Sequence, residues 1–155
     1  MRRAVASRTM IASGLVLGLT LFAHVPEASA DGPTANAEVM IIHATKCEKK
    51  TVDPEIGSAP PALGFDCLKL LGKRTMPLVL NKASTTVLPN NRTFQLLHTA
   101  KVDNRFKVTA SISPADGGQG YVKLADITAD PNKPFNVGGF THDKGVLVLT
   151  VRILP

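Results

Sequence analysis

The sequence predicts a mainly β protein: a single antiparallel β-sandwich or partly open barrel of about seven to nine short strands, with at most one short helix near Asp53–Ala62. Three observations carry this. Apolar residues alternate with polar ones over several segments, with a period of two. Clusters of Gly, Pro, Asn and Asp separate those segments. No stretch repeats apolar residues every 3.6 positions over three turns, so no amphipathic helix is indicated.

Taken in order, Asp31–Asn36 is small and polar and reads as a leader. "AEVMIIHA" (Ala37–Ala44) is apolar and β-branched, as in a strand buried on both faces. The segment "TKCEKKTVDPEIGSAPPALG" carries three prolines and two glycines. In it Asp53 precedes Pro54 as an N-cap with proline at N1, and Glu55 follows in the first turn. Gly57 stops any helix after one turn, and Pro60-Pro61 favours an extended arm. "FDCLKLLGKRTMPLVLNK" predicts two short strands, Phe65–Leu71 and Met76–Asn81.

The clearest β text follows. Phe94, Leu96, His98 and Ala100 alternate with Gln95, Leu97, Thr99 and Lys101, "DN" makes a turn, and Phe106, Val108, Ala110 and Ile112 resume the alternation. That is a hairpin with one face in a core. "PADGGQG" is a loop, "YVKLADITA" a strand and "DPNKP" a turn. In the closing "PFNVGGFTHDKGVLVLTVRILP", Gly138-Gly139 predicts a bulge or bend, and Asp143-Lys144-Gly145 a type I turn with Gly145 left-handed. Leu147, Leu149, Val151 and Ile153 share one face of the last strand. Val146, Val148, Thr150 and Arg152 share the other, which grows more polar toward the chain end. His142 and Asp143 are thus turn residues rather than catalytic ones.

Residues 1–30 read as a cleaved signal peptide: Arg2, Arg3 and Arg8, then an apolar run from Met10 to Ala23, then Ala28-Ser29-Ala30 as an A-x-A site. The mature chain would begin at Asp31 and form one β domain, 31–155. The apolar run is too short to span a bilayer comfortably, and the mature part carries no other transmembrane candidate. Periplasmic or secreted location follows. Loss of three Arg and Glu27 leaves 15 basic and 11 acidic residues, a net charge of +4. This suits solubility and lacks the concentrated basic footprint of a nucleic-acid binder. Cys47 and Cys67, an even pair in an exported chain, read as one disulfide that tethers the Pro-rich segment. Lys46, Lys49 and Lys50 lie in the loop it closes, and Lys69, Lys73 and Arg74 follow Cys67. The bond would gather these six into a possible basic interaction patch.

The succession "VDPEI…FDCLKLL…LPNNRTFQLL…DNRFKVTASI…PFNVGGFTHDKGVLVLTVRI" resembles a loose group of small exported bacterial β-rich proteins, from about Val39 to Ile153. Shared features are the D-P-x-I arm, the F-x-x-L-K-L-L strand and the V-G-G-F…G-V-L-V hairpin. Cys67 stands where an aromatic residue is expected. The group has no agreed activity, so the resemblance implies export and fold and no site.

The chemistries tested against the sequence find little. His43 and Cys47 on one strand would stand about 13 Å apart, and Zn²⁺ or copper needs three or four converging ligands. His98 and His142 are distant in sequence, and both read as surface residues. There is no G-x-S-x-G, and a Cys67–His43 or Cys67–His98 pair requires a free thiol. Aromatic residues are 5% of the chain, too few for the flat platforms of sugar sites or for base stacking. Asn91-Arg92-Thr93 matches a glycosylation sequon and is better explained as a turn. No cofactor is called for. The expectation is a non-enzymatic exported module that binds another protein or an envelope polymer. A small secreted hydrolase or inhibitor-like protein is the alternative, and it would need a deep pocket with converging polar groups.

Overall fold

The computed structural model describes residues 34–57 and 64–155. The signal segment, the start at Asp31 and the Pro60-Pro61 part of the arm lie outside them. The described chain is mainly β, two facing sheets without barrel closure, as a β-sandwich requires. Its strands are β1 (Ala35–Thr45), β2 (Thr51–Val52), β3 (Cys67–Leu78), β4 (Ala83–Val87), β5 (Thr93–Val102), β6 (Arg105–Ile112), β7 (Val122–Ala129), β8 (Pro134–His142) and β9 (Gly145–Leu154). One sheet has the order β2-β3-β1-β9-β8, the other β4-β5-β6-β7. All strand-to-strand pairings are antiparallel except the two-residue β2–β3 contact, which is parallel.

The core lies between the sheets. Ala37, Val39 and Ile41 of β1 and Leu147, Leu149, Val151 and Ile153 of β9 face Phe94 and Leu96 of β5 and Phe106, Val108 and Ile112 of β6. The β5–β6 hairpin turns at Asp103 and Asn104, both with positive φ, the left-handed backbone that Asp and Asn tolerate. Arg92 ties the sheets at one end. Its Nε and Nη2 donate to the Ser113 carbonyl at 2.8 and 2.6 Å, and its guanidinium lies over the Phe140 ring. Gly138-Gly139 forms the expected bulge: the β8–β9 register shifts between Gly138 and Phe140, and Gly139 has φ 93°.

Three local expectations are corrected. Phe65–Leu71 and Met76–Asn81 are not separate strands. β3 runs without interruption from Cys67 to Leu78, because β1 offers it a continuous partner and a bulge at Leu71 absorbs the misfit. In the final hairpin the positive φ falls on Asp143, 47°, and not on Gly145. The turn holds only Asp143 and Lys144, and Gly145 opens β9 opposite His142, at a place where a Cβ would collide with the Ala44 carbonyl oxygen. β1 is buried on both faces at one end only. Inward, Ala35, Ala37, Val39 and Ile41 are buried and His43 is half-buried; on the outer face Ile42 and Ala44 are buried and Glu38 and Met40 are partly exposed.

Candidate functional site

The arm between β1 and β3 shapes the outer face of the five-stranded sheet. Cys47 and Cys67 are joined by a disulfide with Cα atoms 5.9 Å apart, within the span such a bond allows. Asp53 fixes the turn that follows β2. Its Oδ1 accepts from the Glu55 amide at 3.1 Å and its Oδ2 from the Leu70 amide at 3.4 Å, while its own amide donates to the Leu68 carbonyl at 2.9 Å. One carboxylate thus caps the Pro54–Ile56 3₁₀ turn and moors it to β3. The turn presses Ile56 onto Ile42, Ala44, Leu68 and Val148, with Val52 and Phe65 alongside. This is a second, smaller core outside the sandwich.

Residues directly opposite one another on neighbouring strands point to the same side of a sheet. The registers therefore arrange the outer face in rows across β3, β1, β9 and β8. Leu70, Ile42, Val148 and Gly138 form one row, Lys73, Met40, Thr150 and Asn136 the next, and Thr75, Glu38, Arg152 and Pro134 the third. The first row lies beneath the arm and is apolar. The second and third emerge beyond it and carry charge.

At the boundary lies a hollow of about 360 Å³ lined by Glu38, Met40, Glu55, Ile56, Gly57, Lys73, Pro134, Thr150 and Arg152. Two ion pairs bracket it. Lys73 Nζ is 3.3 Å from Glu55 Oε2 and joins sheet to arm; Arg152 Nη2 is 2.7 Å from Glu38 Oε1 and spans β9 and β1. On the floor the Thr150 hydroxyl donates to Asn136 Oδ1 at 2.8 Å. On the arm's other side a hollow of about 300 Å³ is walled by Phe65, Asn136, Gly138, Gly139, Val146 and Val148.

The six cations expected in one basic patch do not form one face. Lys46, Lys49 and Lys50 are exposed in the loop after β1. Lys73 projects to the outer face and is engaged by Glu55. Lys69 and Arg74 stand opposite His43 and Val39, on the other side of the sheet. The bulge at Leu71 lies between Lys69 and Lys73 and puts two lysines four positions apart on opposite sides. Near Lys69 an open groove of about 600 Å³ runs past His43, Thr45, Val52, Pro54 and the Cys67 end of the disulfide.

The histidines depart further from the sequence reading. His98 is not at the surface: it is 1% exposed, with Nδ1 3.2 Å from the Thr34 hydroxyl and Nε2 3.1 Å from the Ala100 carbonyl. His43 and His142, far apart in sequence, have ring centroids 5.2 Å apart, and His43 Nε2 lies 3.2 Å from the His142 carbonyl. The β1–β9 pairing brings them together, which no local pattern announces. Among the described residues no three His, Cys, Asp or Glu side chains gather as a metal would require, and no helix is long and apolar enough to cross a membrane. On the opposite sheet the Lys123 ammonium, at 2.7 Å, and then the Thr109 hydroxyl hold the Asp126 carboxyl below its ordinary value.

Comparison with protein-family models, with curated proteins and with solved structures returns no match to this chain. The resemblance to small exported proteins therefore rests on the quoted residues alone.

Proposed function

We propose that the chain is an exported, non-enzymatic binding module of the periplasm or secreted fraction. It holds a protein or an envelope polymer against the open half of the outer face of its five-stranded sheet. The observation that carries this reading is the half-covered face itself. The arm seals the apolar row and leaves Lys73, Met40, Thr150, Glu38 and Arg152 around an open hollow of about 360 Å³. A strand face left open beside a braced loop is a common seat for recognition. The disulfide fits an oxidising compartment, and the A-x-A segment at Ala28–Ala30 fits export. Against the hydrolase alternative, Cys67 is bonded to Cys47, so its thiol is not free to act with His43 or His98.

The test has two parts. Mass spectrometry of material from the producing cell should find Asp31 at the N-terminus; retention of Met1 overturns export. A photo-crosslinking side chain at Thr75, exposed in the third outer row, should trap an adduct in intact cells. The same group at Thr128, exposed on the far sheet, should not. No adduct at Thr75, or equal adducts at both positions, overturns the assignment of the face.

A further inference from the structure

We infer that the hollow at the arm's edge takes a short linear peptide of about three residues with both termini free. The inference rests on the proposed binding role and names the ligand class for that face. Both ion pairs have solvent-facing side chains: 45% and 69% exposed for Lys73 and Glu55, 46% and 29% for Arg152 and Glu38. Exposed pairs of this kind contribute little to stability, so a ligand can exchange partners with them at small cost. Each pair offers one cation and one carboxylate. A ligand carboxylate would bind at the cation of one pair, and a ligand ammonium at the carboxylate of the other.

The spacing sets the length. Lys73 is on β3 and Arg152 on β9, with β1 between them. Lys73 also stands two residues along the strands from Glu38 and Arg152, so strand spacing and rise put it about 8 Å from Glu38 and about 12 Å from Arg152; an extended peptide rises ~3.3 Å per residue, so about three residues reach from one pair to the other. Such a peptide crosses Met40 and Ile56, which supply apolar contact. The Thr150 hydroxyl, which donates to Asn136, turns its oxygen to the hollow as an acceptor for a backbone amide. A lone amino acid spans only one pair. A neutral glycan offers no charge to either pair, and no glycan finds an aromatic ring among the lining residues.

Methyl NMR on the disulfide-bonded protein reads this directly. Met40 forms the floor, and Met76, 2% exposed in the sandwich core, is an internal reference. Titration with trialanine should move the Met40 methyl resonance and leave Met76 in place, with a dissociation constant on the order of 1 mM for so open a site. Trialanine acetylated and amidated at its ends should bind about tenfold more weakly or worse, as should single alanine, because each loses a charged contact. Arg152→Gln or Lys73→Gln should weaken trialanine binding by a similar factor, and Thr128→Ala should not. The inference is overturned if Met40 does not respond, if the capped peptide matches the free one, or if both charge variants bind like the parent. Such a failure leaves the broader binding role standing whenever the Thr75 crosslink still forms, and loss of that crosslink condemns the role itself.

Discussion

At the scale of single residues, burial and hydrogen bonding separate the histidines that sequence alone leaves equivalent. His98 lies in the alternating β5 pattern at an inward position, so its ring must enter the core and find partners there. It does, between Thr34 and Ala100. The Thr34 amide and hydroxyl both reach the Leu78 carbonyl, at 2.8 and 3.0 Å; when the ring carries its proton on Nε2, facing Ala100, Nδ1 is an acceptor and shares the Thr34 hydroxyl proton with that carbonyl. His142 differs: its main chain, through the carbonyl that faces His43, does the structural work. His142→Ala keeps that carbonyl and should cost roughly 1 kcal/mol or less. Leu149→Ala removes a side chain with no exposed surface from the centre of β9 and should cost roughly 2–5 kcal/mol through lost burial and a cavity. Chemical denaturation of the two variants checks the order. A Leu149→Ala protein as stable as the parent would mean that the inward face of β9 is misassigned.

At the scale of elements, Gly145 shows how a turn and a close approach combine. The two-residue turn places the start of β9 against the end of β1, so closely that a Cβ on Gly145 would strike the Ala44 carbonyl oxygen and crowd Thr45. Gly145→Ala should therefore destabilise by roughly 2 kcal/mol or more, although its φ is one any residue adopts. Denaturation measures this, and a neutral substitution would refute the tight β1–β9 approach. The same region marks what the sequence made legible. Alternation in β5, β6 and β9 identified the inward residues, because a half-buried strand has a period of two. Asp53-Pro54 announced its one-turn helix through cap chemistry alone. Locally β3 reads as two pieces, because Gly72-Lys73-Arg74 breaks its apolar text and its partner β1 is invisible to local reading. The candidate site was illegible for the same reason. Glu38 meets Arg152, and Lys73 meets Glu55, only once the first and last strands pair and the arm folds back. The even cysteine pair was legible, since export context and count need no knowledge of topology.

At the scale of the whole molecule, two cores of unequal size share one sheet. The larger lies between the sheets and is sealed by both; the smaller lies under the arm and depends on the Cys47–Cys67 bond to keep the arm in place. Their coupling runs through β1, whose inward Ile41 belongs to the first and whose outward Ile42 belongs to the second. Loss of the disulfide should act unequally on them. Replacing both cysteines by Ala releases the closed loop in the unfolded chain and should lower global stability by roughly 3 kcal/mol. It also permits the arm to open without the sandwich opening, because the amides of Thr51, Asp53 and Leu70 bond only within the arm or between arm and β3. Those hydrogen bonds form the low-stability end of the molecule. In native-state hydrogen exchange, amides of β6, such as Val108 and Ala110, should lose protection only in step with the global decrease. The Asp53 and Leu70 amides should lose more than that and become independent of denaturant at low concentrations, the mark of local opening. Equal loss at both sets would mean that arm and sandwich unfold as one unit, and that the smaller core is an inseparable part of the larger.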